Sequence, residues 1–254
     1  MNKTFFIIPY RDRENDKIKF ISHMNTYLKK IDFKEEYTFL FSHQCDKRPF
    51  NRGAIKNIGF ISVKNKYPND YKNFTFVFHD IDTLPSYDII LPYTTTHGTL
   101  KHYYGYKFAL GGIFVIKGND FELTKGFPNF WGWGFEDNTM YERCISSKIN
   151  VDRSIFFDIK DKNILNSNND IYRIISKRDA NVYKYESPDN IESIKNLKYI
   201  IEYCNNNENV CYSNITDFSV EMEHSQQIYE KYDIRKGNKF IIPKGYFRKT
   251  WKLF

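Results

Sequence analysis

Cysteine is scarce. The 254 residues hold four, Cys45, Cys144, Cys204 and Cys211, with no C-x-x-C pair and no dense framework. That excludes a disulfide-built scaffold and reads as free thiols in a reducing compartment, although Cys204 and Cys211 stand near enough to bridge. Long hydrophobic runs are missing as well. The opening residues offer only the apolar stretch 5–8 before Pro9 and a series of charges, too short for a signal peptide core or a membrane span, so a soluble, cytoplasmic protein is expected. RNA-module motifs, zinc fingers, unbroken basic blocks and internal repeats are absent. The net charge is +7, but its lysines are scattered among Asp, Glu and Asn, so nucleic acid is not an expected partner. An anionic membrane or a polyphosphate-bearing substrate suits the same charge.

What is present suffices for one sizeable core, since 41% of the residues are hydrophobic. Residues 5–8 read as a buried strand, and Ile18, Ile21, Met24 and Leu28 recur at helical spacing after it. A second strand at 37–42 leads to a helix marked by Ala54, Ile58 and Ile61. A third, at 74–78, ends in His79-Asp80-Ile81-Asp82. Such alternation predicts an α/β fold with an open, mostly parallel sheet and flanking helices, which binds ligands beyond the carboxyl ends of its strands. Residues 86–106 lack periodicity and read as a long functional loop. Residues 108–117 read as a strand with a glycine pair, 136–147 as a helix opening on acids, and 191–203 as a helix.

Two segments carry chemistry. Asp80-Ile81-Asp82 is a D-x-D at a strand end, where carboxylates suit a hard cation such as Mn²⁺ or Mg²⁺ held against a diphosphate. By itself the pattern is more often that of a turn or helix cap. The stretch from Lys125 to Asp137, KGFPNFWGWGFED, interleaves Trp131 and Trp133 with glycines and ends in Glu136 and Asp137, the composition of an aromatic segment closing over a sugar.

Together these segments resemble the β-1,4-galactosyltransferase family, whose catalytic domain has the GT-A fold. The resemblance runs in order through Ile7-Ile8-Pro9-Tyr10-Arg11-Asp12-Arg13, then Phe50-Asn51-Arg52 to Gly59-Phe60, then Phe76 to Pro85, Gly111-Gly112, and the Gly126 to Asp137 segment. It covers roughly residues 4–160. It implies an inverting, metal-dependent transfer of a hexose or N-acetylhexosamine from a UDP-sugar to a glycan hydroxyl. Pro9, Tyr10, Arg11, Arg13, Phe50 and Arg52 would cradle uridine and diphosphate, and Asp80, Ile81, Gly111, Gly112 and Trp133 would meet the donor. Asp82 would bind the metal and Asp137 would be the general base. Tyr106, Trp131 and Glu136 would face the acceptor, with Ile171, Arg173 and Ile174 matched by a weaker similarity.

Departures from the family pattern matter too. Ala109 stands where the family commonly has a Tyr limiting the donor pocket, so a GalNAc or GlcNAc donor becomes compatible beside galactose. Asn138 and Thr139 replace further acids on the acceptor side. The family's Met-x-x-His ligands have no counterpart, since no histidine occurs between His102 and His224. Asp158, and behind it His224, are the substitutes expected, with a plain surface role as the alternative for each. The catalytic domain is expected to span 1–220. Residues 221–254 form a basic extension with eight Lys/Arg against four Asp/Glu, in which Tyr246, Phe247, Trp251 and Phe254 interleave. That extension reads either as packing onto the domain or, through 236–254, as docking on a membrane. Without an anchor, a bacterial or viral source is expected. The second reading of the whole chain is a nucleotide-sugar or carbohydrate-binding protein that lost turnover.

Overall fold

The computed structural model describes residues 3–167, 171–176, 189–204 and 207–236. In chain order its strands and α-helices are β1 (Lys3–Tyr10), α1 (Glu14–Lys30), β2 (Glu36–Gln44), α2 (Arg52–Lys66), β3 (Thr75–His79), β4 (Thr83–Pro85), β5 (Thr99–Gly105), β6 (Ile113–Lys117), α3 (Gly118–Leu123) and α4 (Glu136–Ser146). The later ones are β7 (Asn150–Asp152), β8 (Phe157–Asp158), β9 (Ile164–Asn166), β10 (Tyr172–Ser176), β11 (Lys195–Cys204), β12 (Asn207–Ser219) and β13 (Tyr229–Asp233). The main sheet runs β11-β12-β2-β1-β3-β6-β5-β7, with β8 also on β5. Its centre is parallel, β12 to β2, β2 to β1 and β1 to β3, while β6 is antiparallel to both β3 and β5.

Helices cover both faces of this centre, so its strands are apolar throughout rather than alternating. The alternation shows in where side chains go. On β1, Phe5 and Ile7 join Phe60, Phe76 and Phe78 on the α2 face, whereas Phe6 and Ile8 join Phe20, Met24 and Leu28 of α1 on the other. The stripe of α1 is Phe20, Met24, Tyr27 and Leu28, and Ile18, expected in it, is 57% exposed.

Two expected elements differ. The stretch 86–106 is not all loop, because β5 occupies its end and completes pairing with β6. Its apolar Leu100, Tyr103 and Tyr104 are separated by Lys101 and His102, which hid the strand in the sequence. Residues 191–203 are helical only as a short turn, Ile191–Ser193, and then form β11. Tyr199, Ile200, Ile201 and Tyr203 favour a pleated surface, and pairing with β12 decides the matter. The strand expected over 108–117 begins only at Ile113.

All four cysteines are free. No helix among the described residues is long and apolar enough to cross a membrane. The described part of the C-terminal extension packs onto the domain through β13, which pairs with β10. Tyr246, Phe247, Trp251 and Phe254, and nearly all of the segment expected at a membrane, lie outside the described residues.

Candidate active site

The parallel strands β1 and β3 end on the same edge, which puts the 10–13 turn beside Asp80, Ile81 and Asp82. Helix α2 starts at this edge. Asn51 caps it, its side chain accepting from the Ala54 N–H at 2.9 Å, and its own amide donates to the Asn129 carbonyl at 2.8 Å. One turn on, Asn57 donates to the Phe127 carbonyl and accepts the Phe127 N–H. These bonds fasten the 127–129 segment to α2. Gly53 permits the approach, since a Cβ there would stand 2.0 Å from the Pro128 carbonyl oxygen.

Arg52 and Lys56, four residues apart, project from one face of α2. Arg52 is the hub. One terminal nitrogen donates to Glu136 Oε1 at 2.8 Å and Asp137 Oδ2 at 2.7 Å, and the other donates to both oxygens of Asp80 at 2.6 and 2.8 Å. Lys56 Nζ donates to Asp137 Oδ1 at 3.0 Å. The strand-end acid and the acids opening α4 therefore meet on two cations of one helix. Burial works against the Arg52 charge, but Asp137, Asp80 and Glu136 outweigh it and hold its pKa well above the ordinary value. Burial also opposes ionisation of Asp80, yet Arg52 and Lys56 bring its carboxyl below the usual range. Glu136 goes the other way, raised by burial and by the Asp137 charge beside it.

Asp137 is held from below as well. Its carbonyl accepts the Leu110 N–H at 2.8 Å, and its carboxylate lies against Gly111, where a Cβ would stand 2.7 Å from Oδ2. Gly112, at φ +67°, returns its carbonyl to the Asp80 N–H at 2.9 Å. Leu110 and Gly112 thus link both acidic segments by backbone. Glu136 is a framework group, its second oxygen accepting the Gly134 N–H.

Asp82 is buried, and its Oδ2 accepts from Arg13 at 2.8 Å while Oδ1 takes only a 3.4 Å contact from the Thr83 hydroxyl. Burial lowers and the Asp82 bond raises the pKa of Arg13, with a net rise. The ion pair with Arg13 is made through Oδ2. The strand next to it is β9, whose following residue Ser167 donates its N–H to the Asp82 carbonyl. Asp158 is exposed on β8 beside Gly105, and His224 lies 5.6 Å from the Trp131 ring. The described residues contain no group of three or more His, Cys, Asp or Glu placed to hold a metal ion, so Asp82, Asp158 and His224 do not converge as ligands. A carboxylate paired with Arg13 through one oxygen alone still fits a hard cation that keeps water and takes most of its shell from a substrate diphosphate.

The expected cradle residues gather in part. Tyr10 packs on His43 and Phe41, and Arg11 stacks over the Phe50 ring at 5.3 Å, with Pro9 buried beneath. The side chain of Ile81 joins the hydrophobic core instead of a ligand site. The two tryptophans separate. Trp131, expected at the acceptor, is 1% exposed, stacks on Phe218 and donates its indole N–H to the Met222 carbonyl, so it is core. Trp133 is 42% exposed. Gly132 between them has φ +81° and comes so near β10 that a Cβ would meet the Ile174 carbonyl oxygen at 2.8 Å. The Trp133 N–H bonds that same carbonyl, which sets the backbone of β10 at Ile174, in the strand that also holds Arg173 and follows Ile171, beside this turn. Tyr106 is exposed and stacked on Phe108, and Ala109 is buried next to them. Lys56, Asn57 and Asn129 went unnoticed in the sequence. For Lys56 the available signal was a lysine four residues after Arg52 inside an apolar stretch.

The chain has known relatives in sequence and in fold. A model of the N-terminal region of glycosyl transferase group 7 matches residues 1–96, and one described as the N-terminal domain of galactosyltransferase matches 92–165. The chain is 29% identical over 187 residues to β-1,4-galactosyltransferase 7 of Drosophila melanogaster, covering 70% of this chain and 53% of that one. It is 32% identical over 161 residues to the xylosylprotein 4-β-galactosyltransferase of Caenorhabditis elegans, covering 60% and 53%. The chain thus spans about half the length of these relatives. They are animal proteins and lend no support to a bacterial or viral source. Among solved structures, a mutant of the Drosophila β-1,4-galactosyltransferase 7 in complex with manganese, UDP-Gal and xylobiose superposes with a TM-score of 0.66 at 20% identity, covering 89% of this chain and 97% of that one.

Proposed function

Because the chain belongs to glycosyl transferase group 7, we propose that it is an inverting, metal-dependent transferase that moves a hexose or N-acetylhexosamine from a UDP-sugar to a glycan hydroxyl, leaving a β-linked product. The observation that carries this reading is the convergence of Asp80 and Asp137 on the Arg52 guanidinium, with Asp82 at the same strand end. A donor diphosphate would be met by Arg11, Arg13 and Arg52, and its uridine by Tyr10 and Phe50. Asp82 Oδ1 would hold the cation, Mn²⁺ or Mg²⁺, which neutralises the departing diphosphate when bound. Asp137 would take the acceptor hydroxyl proton as that oxygen bonds to the anomeric carbon. The bond from that carbon to the diphosphate breaks with its electron pair leaving on UDP, and a single displacement inverts the centre.

Buried Ala109 leaves the donor side without a large ring and favours admission of an N-acetylated sugar beside galactose. Exposed Trp133, with Tyr106, supplies faces on which sugar rings can stack. The test is UDP release from UDP-Gal, UDP-GalNAc and UDP-GlcNAc with and without Mn²⁺, using xylobiose first because the structural neighbour is a complex with it. Asp137→Asn should lower kcat by about 10²–10⁴-fold while retaining UDP binding. No metal-dependent release from any of these donors across a glycan panel would overturn the proposal.

A further inference from the structure

A lysine ammonium is among the most strongly hydrated side-chain groups, so one removed from water needs an anionic partner. Lys56 is 1% exposed, inside α2 between Ile55 and Ile58, themselves fully buried. Its Nζ stands 3.0 Å from Asp137 Oδ1, 4.0 Å from Asp80 Oδ1 and 4.6 Å from the Phe127 ring centre. Each oxygen of Asp137 is therefore held by a different cation, Oδ1 by Lys56 and Oδ2 by Arg52.

These two cations differ in what they can exchange. Arg52 retains 16% side-chain exposure, shares its donors among three carboxylates, and faces the edge where a diphosphate would arrive. Lys56 retains 2% and lies behind, with Phe127 closing one side. Cations on both oxygens hold down the basicity of a carboxylate, so it serves best as a base once one of them withdraws. Only Arg52 has a substrate anion to turn to.

We propose that Lys56 is the positioning residue of the base: it keeps Asp137 Oδ1 fixed, so that Oδ2, released as Arg52 turns to the diphosphate, faces the acceptor hydroxyl. The inference rests on the transferase reading above. Lys56 touches neither substrate, and its effect passes through the orientation of Asp137.

The experiment uses the full chain with Lys56→Met, Lys56→Gln and Lys56→Arg, alone and combined with Asp137→Asn. UDP affinity with Mn²⁺ is measured by calorimetry, and kcat and KM by UDP release. The neutral variants should lose about 30- to 100-fold in kcat, the scale of a misplaced catalytic group, with UDP affinity within about twofold of wild type. Lys56→Arg should recover part of the loss. In the Asp137→Asn background, removing Lys56 should cost less than about threefold, because the group it positions has gone. The proposal is overturned if the neutral variants keep kcat within threefold, if kcat and UDP affinity fall together, or if the loss persists undiminished beside Asp137→Asn. Failure of both neutral variants to fold assigns Lys56 to the framework and overturns it equally. A wild-type chain without UDP release would instead defeat the transferase reading, so the two failures are distinct.

Discussion

Substitutions at single positions separate donor selection from catalysis. Ala109 is 6% exposed in the turn whose next residue bonds the Asp137 carbonyl. Ala109→Tyr places a ring into that space, and N-acetylated donors should lose more kcat/KM than UDP-Gal, by about 10-fold or more if the ring meets the acetamido group. Equal losses on UDP-Gal and UDP-GalNAc would show that this side chain does not see the C2 substituent. The residues beyond Ala109 are distinguished by their partners. Asp137 and Arg52 stood out in the sequence because each sits in a dense motif, whereas Lys56 did not, because a lysine in a helix usually lies on the solvated face. Only the fold reveals that this one points inward, onto two acids.

At the scale of elements, two glycines without room for a Cβ should respond differently to alanine. At Gly111 the added methyl meets the end of the Asp137 side chain at 2.7 Å, and a side chain can swing away. Gly111→Ala should leave unfolding free energy within about 1 kcal/mol of wild type while kcat falls about 10²-fold. At Gly53 the methyl meets the Pro128 carbonyl at 2.0 Å, which is backbone fastened to α2 through Asn51 and Asn57. Gly53→Ala should therefore destabilise the chain by about 1–3 kcal/mol, read by denaturant melts. The strand-helix alternation up to Asp82 was legible because the central strands are apolar runs and α1 and α2 are periodic. Trp131 and Trp133 were not separable by sequence, since the left-handed turn at Gly132 that sends one inward and the other outward depends on contact with β10. For β11 the pairing with β12, remote from its own composition, overrode a helical pattern.

The molecule as a whole carries two fully buried histidines within its sheet, His79 on β3 and His102 on β5, and they shape its response to acid. Burial drives His79 down from 6.5 to about 4, and burial together with Arg153 does the same to His102. In the unfolded chain both take protons near pH 6.5, which the folded chain refuses until about pH 4. Stability is therefore full above the unfolded value and falls as the pH drops through this window, by roughly 3 kcal/mol for each histidine at the bottom of it. Thermal melts from pH 7.5 to 4.5 should show a steep decline, shallower in His79→Gln. A flat profile above pH 5 would contradict the burial of these rings.

The sheet order has a temporal consequence. Strand β12 inserts between β11 and β2, parallel to a strand that lies far upstream, with other strands of the sheet made between them. During synthesis the acids and cations of the cleft leave the ribosome well before residues 207–219 do, yet until those arrive β2 presents an unpaired edge backed by Phe39 and Phe41. The nascent chain thus carries this open edge from the completion of β2 until β12 emerges, and its catalytic groups are made before the sheet that holds them is complete.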